Sequence, residues 1–172
     1  MEFKMLKKVL STIIIGTSLF LGENTMAENS LNAKQQSIAE AAAYAARGDQ
    51  KGLKEALAKG LDNGVTVNEY KEILTQVYAY CGFPRSLNAL GTLMSLEEER
   101  GNKDEQGTLP SAKPQGSSLE FGTENQTKLV GAPVKGKLFE FATAVDEYLK
   151  AHLFGDIFAR DNVDWQTREL AT

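Results

Sequence analysis

A single cysteine in 172 residues is the first constraint on this chain. One thiol closes no internal disulfide, so Cys81 is buried, free or paired between chains, and no disulfide staples the fold from within. Positive charge is also short, with 19 Lys and Arg against 23 Asp and Glu and a net charge of −4. Nucleic-acid affinity depends on neutralising phosphates with Lys and Arg, so this balance argues against such a partner. The one histidine, His152, stands without clustered Cys or carboxylate neighbours, whereas zinc and iron sites need three or four donors; no metal is assigned. No Gly-rich phosphate loop occurs, because the glycines stop helices or sit in a connector, and no cofactor is assigned. A membrane span needs ~20 apolar residues, and the run Val9–Gly22 is shorter.

That run follows Lys4, Lys7 and Lys8, and Thr25, Met26 and Ala27 put small residues three and one positions ahead of a cut. The pattern predicts a signal peptide over residues 1–27 and an exported protein, periplasmic or secreted, with an uncleaved anchor the weaker alternative. After cleavage no membrane contact is expected. The leader removes three Lys and two Glu, a net +1, which moves the charge from −4 to −5. What remains is long enough for one domain with a real core.

From Ser30 to Arg100 the pattern is helical and nothing reads as a strand. SIAEAAAYAARGD gives a first helix stopped at Gly48, and LKEALAKGLDNG a second stopped at Gly64. Thr66 and Glu69 form a capping box that opens a third helix through Ile73, Leu74, Val77 and Tyr80. Pro84 suits the first position of a fourth, which runs through Leu87, Leu90, Leu93 and Met94 into EEER and Gly101, a charged end that reads as a solvated face. These are antiparallel hairpins with short joints. Residues 102–137 then change character, with Gly, Ser, Lys, Gln and Pro110, Pro114 and Pro133 dominating. A nonperiodic stretch beyond ~15 residues is functional or disordered more often than not, and an ordered wrap pinned by Leu119, Phe121, Leu129 and Val130 is favoured over a flexible tether. Helical signal returns from Leu138 to Phe158, before a break at Arg160–Asn162 and an N-cap at Asp164. The last ten residues, VDWQTRELAT, echo LNAKQQSIAE at residues 31–40, so one complete helical unit is followed by the opening of another.

LDNGVTVNEYKEILTQVYAYCGFPRSLNAL, residues 61–90, resembles the end of a carboxymuconolactone decarboxylase unit, with a Gly, a capped helix, a Tyr-rich turn and a Gly-Phe-Pro joint in that order. DEYLKAHLFGDIFARDNVDWQTRELAT, residues 146–172, resembles the lead-in to a second unit of that family. The resemblance implies an all-α fold of antiparallel hairpins of the alkylhydroperoxidase D-like type with a long irregular connector. Residues 28–101 are then a first unit, 102–137 the connector, and 138–172 the start of a second, incomplete unit. It also implies a small-molecule substrate, assembly into trimers or hexamers, and sites between units.

Two chemistries occur in that superfamily, decarboxylation of lactone acids and peroxide reduction by a CxxC pair with Glu and His. Carried across, the family's acid falls on Ser37 in the first copy and on Glu169 in the second. The peroxidase cysteines fall near Asp49 and Gly52, and the His on Ala56. Decarboxylation needs a desolvated carboxylate, a stabilised enolate and a proton donor to carbon. Glu169 is the candidate catalytic donor, set against an exposed helical Glu beside Arg168. Arg160 is the candidate carboxylate fork, set against a capping Arg; Trp165 and Tyr80 are candidate substrate-binding walls, set against core aromatics. Cys81 has no second thiol to resolve a sulfenic acid, so its redox reading needs an outside thiol, and its structural reading is a small buried hydrophobe. The functional expectation is an exported decarboxylase-like protein. An alkylhydroperoxidase-like antioxidant with peroxiredoxin-type activity and a noncatalytic binding remnant are the alternatives.

Overall fold

Four helices build the first core, and their boundaries follow the local signals. In the computed structural model, which describes residues 30–111 and 116–172, α1 spans Ala33–Arg47, α2 Gln50–Asp62, α3 Val67–Cys81 and α4 Phe83–Glu99. The expected signal peptide lies outside the described residues, as does Pro114 in the connector. Gly48 ends α1 with φ of 75°, a left-handed conformation that suits Gly, and Asp49 caps α2 by accepting from Gly52 N at 3.0 Å. Thr66 and Glu69 form the expected capping box on α3. Helix α4 starts at Phe83, one residue before Pro84. Ala41, Ala42 and Ala45 of α1 are buried with Leu53 and Leu57 of α2, Ile73 and Leu74 of α3, and Ala89 and Leu93 of α4. Small residues on α1 permit close packing, and each buried Leu or Ile contributes roughly 1.5–3 kcal/mol. Among the described residues no strand occurs, and no helix is long and apolar enough to cross a membrane.

The charged end of α4 is not wholly solvated. Glu97 turns inward, and burial, with Asp104 beside it, raises its carboxyl pKa above the usual value. Arg100 forks onto Asp104 with two bonds of 2.7 Å and reaches Asp62 at 2.8 Å.

Polar groups hold the described residues of the connector against the helices. Val67 N donates to Glu105 O and Asn68 N to Gln106 O, both at 2.9 Å, so connector carbonyls satisfy the free N–H groups at the start of α3. Ser111 N donates to Asp161 Oδ1 at 2.7 Å, and Asn162 Nδ2 to Thr108 O at 3.2 Å. Within the stretch read as irregular, residues Ser118–Val130 form a 13-residue helix, α5. Its buried residues are Gly122, Asn125 and Gln126, while the expected apolar pins Leu119, Leu129 and Val130 are exposed.

The helical signal from Leu138 to Phe158 resolves into α6 (Lys137–Phe141), α7 (Thr143–Tyr148) and a nine-residue π-helix, Leu149–Ile157. A π-helix is rare and commonly marks a functional site. This one lies against α5, and Asn125 Nδ2 donates to its Phe154 O at 2.8 Å. Leu153, Ile157 and Phe158 form a second small core with Tyr78, Phe154 and Trp165. The last helix, α8 (Trp165–Leu170), is capped by Asp164 as expected and packs on α1.

Candidate functional site

The junction of α8 with α3 is the most polar part of the interior. Glu72 and Gln76 lie one turn apart on α3, both buried, flanking the apolar stripe of Ile73 and Val77. Arg160 forks onto Glu72, Nε to Oε2 at 2.6 Å and Nη2 to Oε1 at 2.7 Å. Arg168, on α8, is fully buried beside them. Its Nη2 donates to Arg160 O at 2.7 Å and to Glu72 Oε2 at 3.4 Å, and its Nη1 donates to Gln76 Oε1 at 3.3 Å. Gln76 Nε2 returns a bond to Arg168 O at 2.8 Å. Two guanidinium groups therefore share one carboxylate. Burial lowers the Arg168 pKa and Glu72 opposes it, while the hydrogen bonds that Arg160 donates to Glu72 raise its own; a guanidinium keeps its proton in proteins, so both are charged.

Of the residues singled out from the sequence, three lie near one another and two do not. Tyr80 and Cys81 share one cavity wall with the end of the chain, and Glu169 lies near enough to Tyr80 for its charge to act there without lining that cavity. Tyr80 is half-exposed, and burial raises its pKa, with the Glu169 charge adding and a hydrogen bond with Thr172 opposing. The cavity, of about 180 Å³, is walled by Ala39, Ala42, Ala43 and Ala46 of α1, by Val77, Tyr80 and Cys81 of α3, and by Leu170 and Thr172. Glu169 itself is exposed, because α8 turns its neighbour Arg168 inward. Cys81 is exposed as well, which corrects the expectation of a small buried hydrophobe: α3 ends there, and its buried stripe stops at Val77. Arg160 lies elsewhere, its fork taken by Glu72. Trp165 is half-buried against Phe158, donating Nε1 to Phe158 O at 3.0 Å, with Lys128 Nζ 5.4 Å from its ring.

The corresponding positions of the first copy are committed to structure. Ser37 is buried, donating Oγ to Ala33 O at 2.8 Å and accepting from Asn63 Nδ2 at 2.9 Å. Asp49 is the cap of α2, Gly52 lies against the Tyr44 ring, and Ala56 is buried with its carbonyl 3.5 Å from the Tyr70 hydroxyl. The echo between residues 31–40 and 163–172 therefore does not extend to surroundings: position 37 faces a core and position 169 faces out. Among the described residues no group of three His, Cys, Asp or Glu side chains is arranged to hold a metal ion.

Glu72, Gln76 and Arg168 escaped the sequence reading. The available signal was their spacing, since an acid and an amide at i and i+4 beside a buried stripe ask for a cationic partner. Residues 19–93 match the model of the carboxymuconolactone decarboxylase family. No curated protein matches the chain.

Proposed function

We propose that this chain, whose residues 19–93 match the model of the carboxymuconolactone decarboxylase family, is an exported scaffold for decarboxylation of a lactone acid. In this reading it seats the opening helix of a second unit and presents Glu169 to a pocket that another protein surface completes. The supporting observation is the Glu72–Arg160–Arg168 lock, which holds α8 against α3 with Glu169 near Tyr80, a residue of the alanine-walled cavity.

The chemistry explains why a second surface is needed. The bond between the ring carbon and the carboxylate breaks, its electron pair passes into an enolate, and a proton from Glu169 is delivered to carbon. Each of those charges is stabilised better by fixed groups in a water-excluded site than by solvent. An exposed carboxyl has no such site until it is covered. A second copy of the chain is the proposed cover, in keeping with the trimers or hexamers the resemblance implies. Peroxide reduction is less well supported, because a sulfenic acid on Cys81 finds no second thiol in a one-cysteine chain. The noncatalytic reading is supported by one specific observation: Ser37, Asp49, Gly52 and Ala56 are all spent on structure.

Carbon dioxide release from a lactone acid, measured across protein concentration together with light scattering, tests the proposal. Turnover is expected only where the chain is associated, and Glu169→Gln is expected to remove at least 100-fold of it, the scale on which a positioned acid acts. Turnover by the monomer overturns the scaffold reading. Turnover unchanged in Glu169→Gln removes that residue from the mechanism, and its absence at every concentration favours the noncatalytic binder.

A further inference from the structure

A second groove, sharing no lining residue with the cavity at Tyr80, lies against the π-helix. It begins with two glycines. A Cβ on Gly122 would stand 1.7 Å from Lys150 O, and one on Gly155 would stand 2.2 Å from Ser118 O, so α5 and the π-helix touch backbone to backbone only because both are Gly. That approach brings Ser118 Oγ to Asp156 Oδ1 at 2.6 Å, while Asp156 Oδ2 meets His152 Nδ1 at 2.8 Å. An ionised carboxylate only accepts, so in the neutral ring it holds the imidazole proton on Nδ1 and leaves Nε2 as an acceptor. His152 in turn lines a groove of about 460 Å³ with Tyr78, Phe83, Val145, Tyr148 and Leu149. Phe83 stacks on Tyr78 at 4.4 Å and 7°, and His152 tilts against the same ring at 5.4 Å.

We infer that this groove binds a small uncharged aromatic alcohol, its ring against the Tyr78, Phe83 and Tyr148 walls and its hydroxyl donating to His152 Nε2. The size suits a small ligand, and ring walls favour a planar ring. Of the polar groups in the lining, His152 is the one oriented from behind as an acceptor, and it selects a donor; the others are the Tyr148 hydroxyl and the Tyr78 hydroxyl, which is buried without a hydrogen-bond partner among the described residues. An anionic ligand fits poorly: among the described residues no Lys or Arg lines the groove, Lys150 on the same helix is paired with Asp146, and the Asp156 charge stands behind the histidine. The site thus takes a different ligand class from the lactone acid proposed for Glu169.

Titration of the full chain with phenol, anisole and benzoate, followed by imidazole nitrogen NMR, tests this. Phenol is expected to bind roughly tenfold more tightly than anisole, the ratio given by one net hydrogen bond, and more tightly than benzoate. Asp156→Asn places an amide donor at Nδ1 and moves the ring proton to Nε2; the nitrogen shifts should report that exchange, and the preference for phenol should vanish. His152→Ala, at a half-exposed position, keeps the fold and should remove the preference while ring binding survives. Equal affinity for phenol and anisole in the unmodified protein overturns the inference. So does a preference that survives His152→Ala, or no binding of any ring, including where light scattering shows a second copy covering the groove.

Discussion

Arg168 has no exposed surface, carries a charge, and leaves its Nε without a partner among the described residues. Such a group is tolerated only because Glu72, Gln76 and the Arg160 carbonyl surround its other nitrogens. Removing the shared carboxylate by Glu72→Ala leaves two guanidinium groups facing each other with one of them buried. The expected loss is about 3–5 kcal/mol in urea denaturation, the cost of breaking a buried pair from one side. A loss below about 1 kcal/mol, the scale of exposed pairs, would show that the lock does not hold α8. Little of this was legible in the sequence. Arg168 enters there only as the neighbour of Glu169, and only docking on α3, 92 or more residues away in the chain, buries it. Glu97 was misread for the same reason, since Asp104 and Gln106 are brought to it by the wrap.

Helices α1 to α4 were legible because each carries its own stop and start: Gly48, the Asp49 cap, the Thr66 box and Pro84 act within a few residues. Helix α5 carries a reversed pattern, apolar side chains out and Gly122, Asn125 and Gln126 in, so no amphipathic period announces it. The π-helix likewise has the composition of an ordinary helix, and its widened turns were not read from composition. An alanine at position 122 separates local preference from packing. In a free helix Gly→Ala gains roughly 1 kcal/mol, whereas here the added Cβ meets the Lys150 carbonyl. Overpacking against backbone costs about 1–3 kcal/mol and outweighs that gain, so Gly122→Ala is expected to lower the denaturation midpoint. A raised midpoint would mean that α5 and the π-helix do not touch as described.

At the scale of the molecule, the outer surface retains more large apolar side chains than its interior chemistry requires. Phe141 is 90% exposed, and Leu138, Leu87 and Met94 each exceed 60%. Surfaces of this kind drive association when they gather into patches, so light scattering is expected to find oligomers, and Phe141→Asp with Leu87→Lys is expected to shift them toward monomer. A monomer before substitution would reject the cover proposed for Glu169. The sequence by itself determined an all-α fold, the Gly48 and Gly64 stops, the Thr66 box, the Asp164 cap and the match of residues 19–93 to the family model, because caps, stop signals and periodicity act over a few residues. Tertiary structure alone decided that Arg168 and not Glu169 turns inward, that the connector holds a helix, and that Ser118, Asp156 and His152 line up behind one groove. Those outcomes rest on backbone approach and burial between segments far apart in the chain, where charge pairing and close packing overrule local preference.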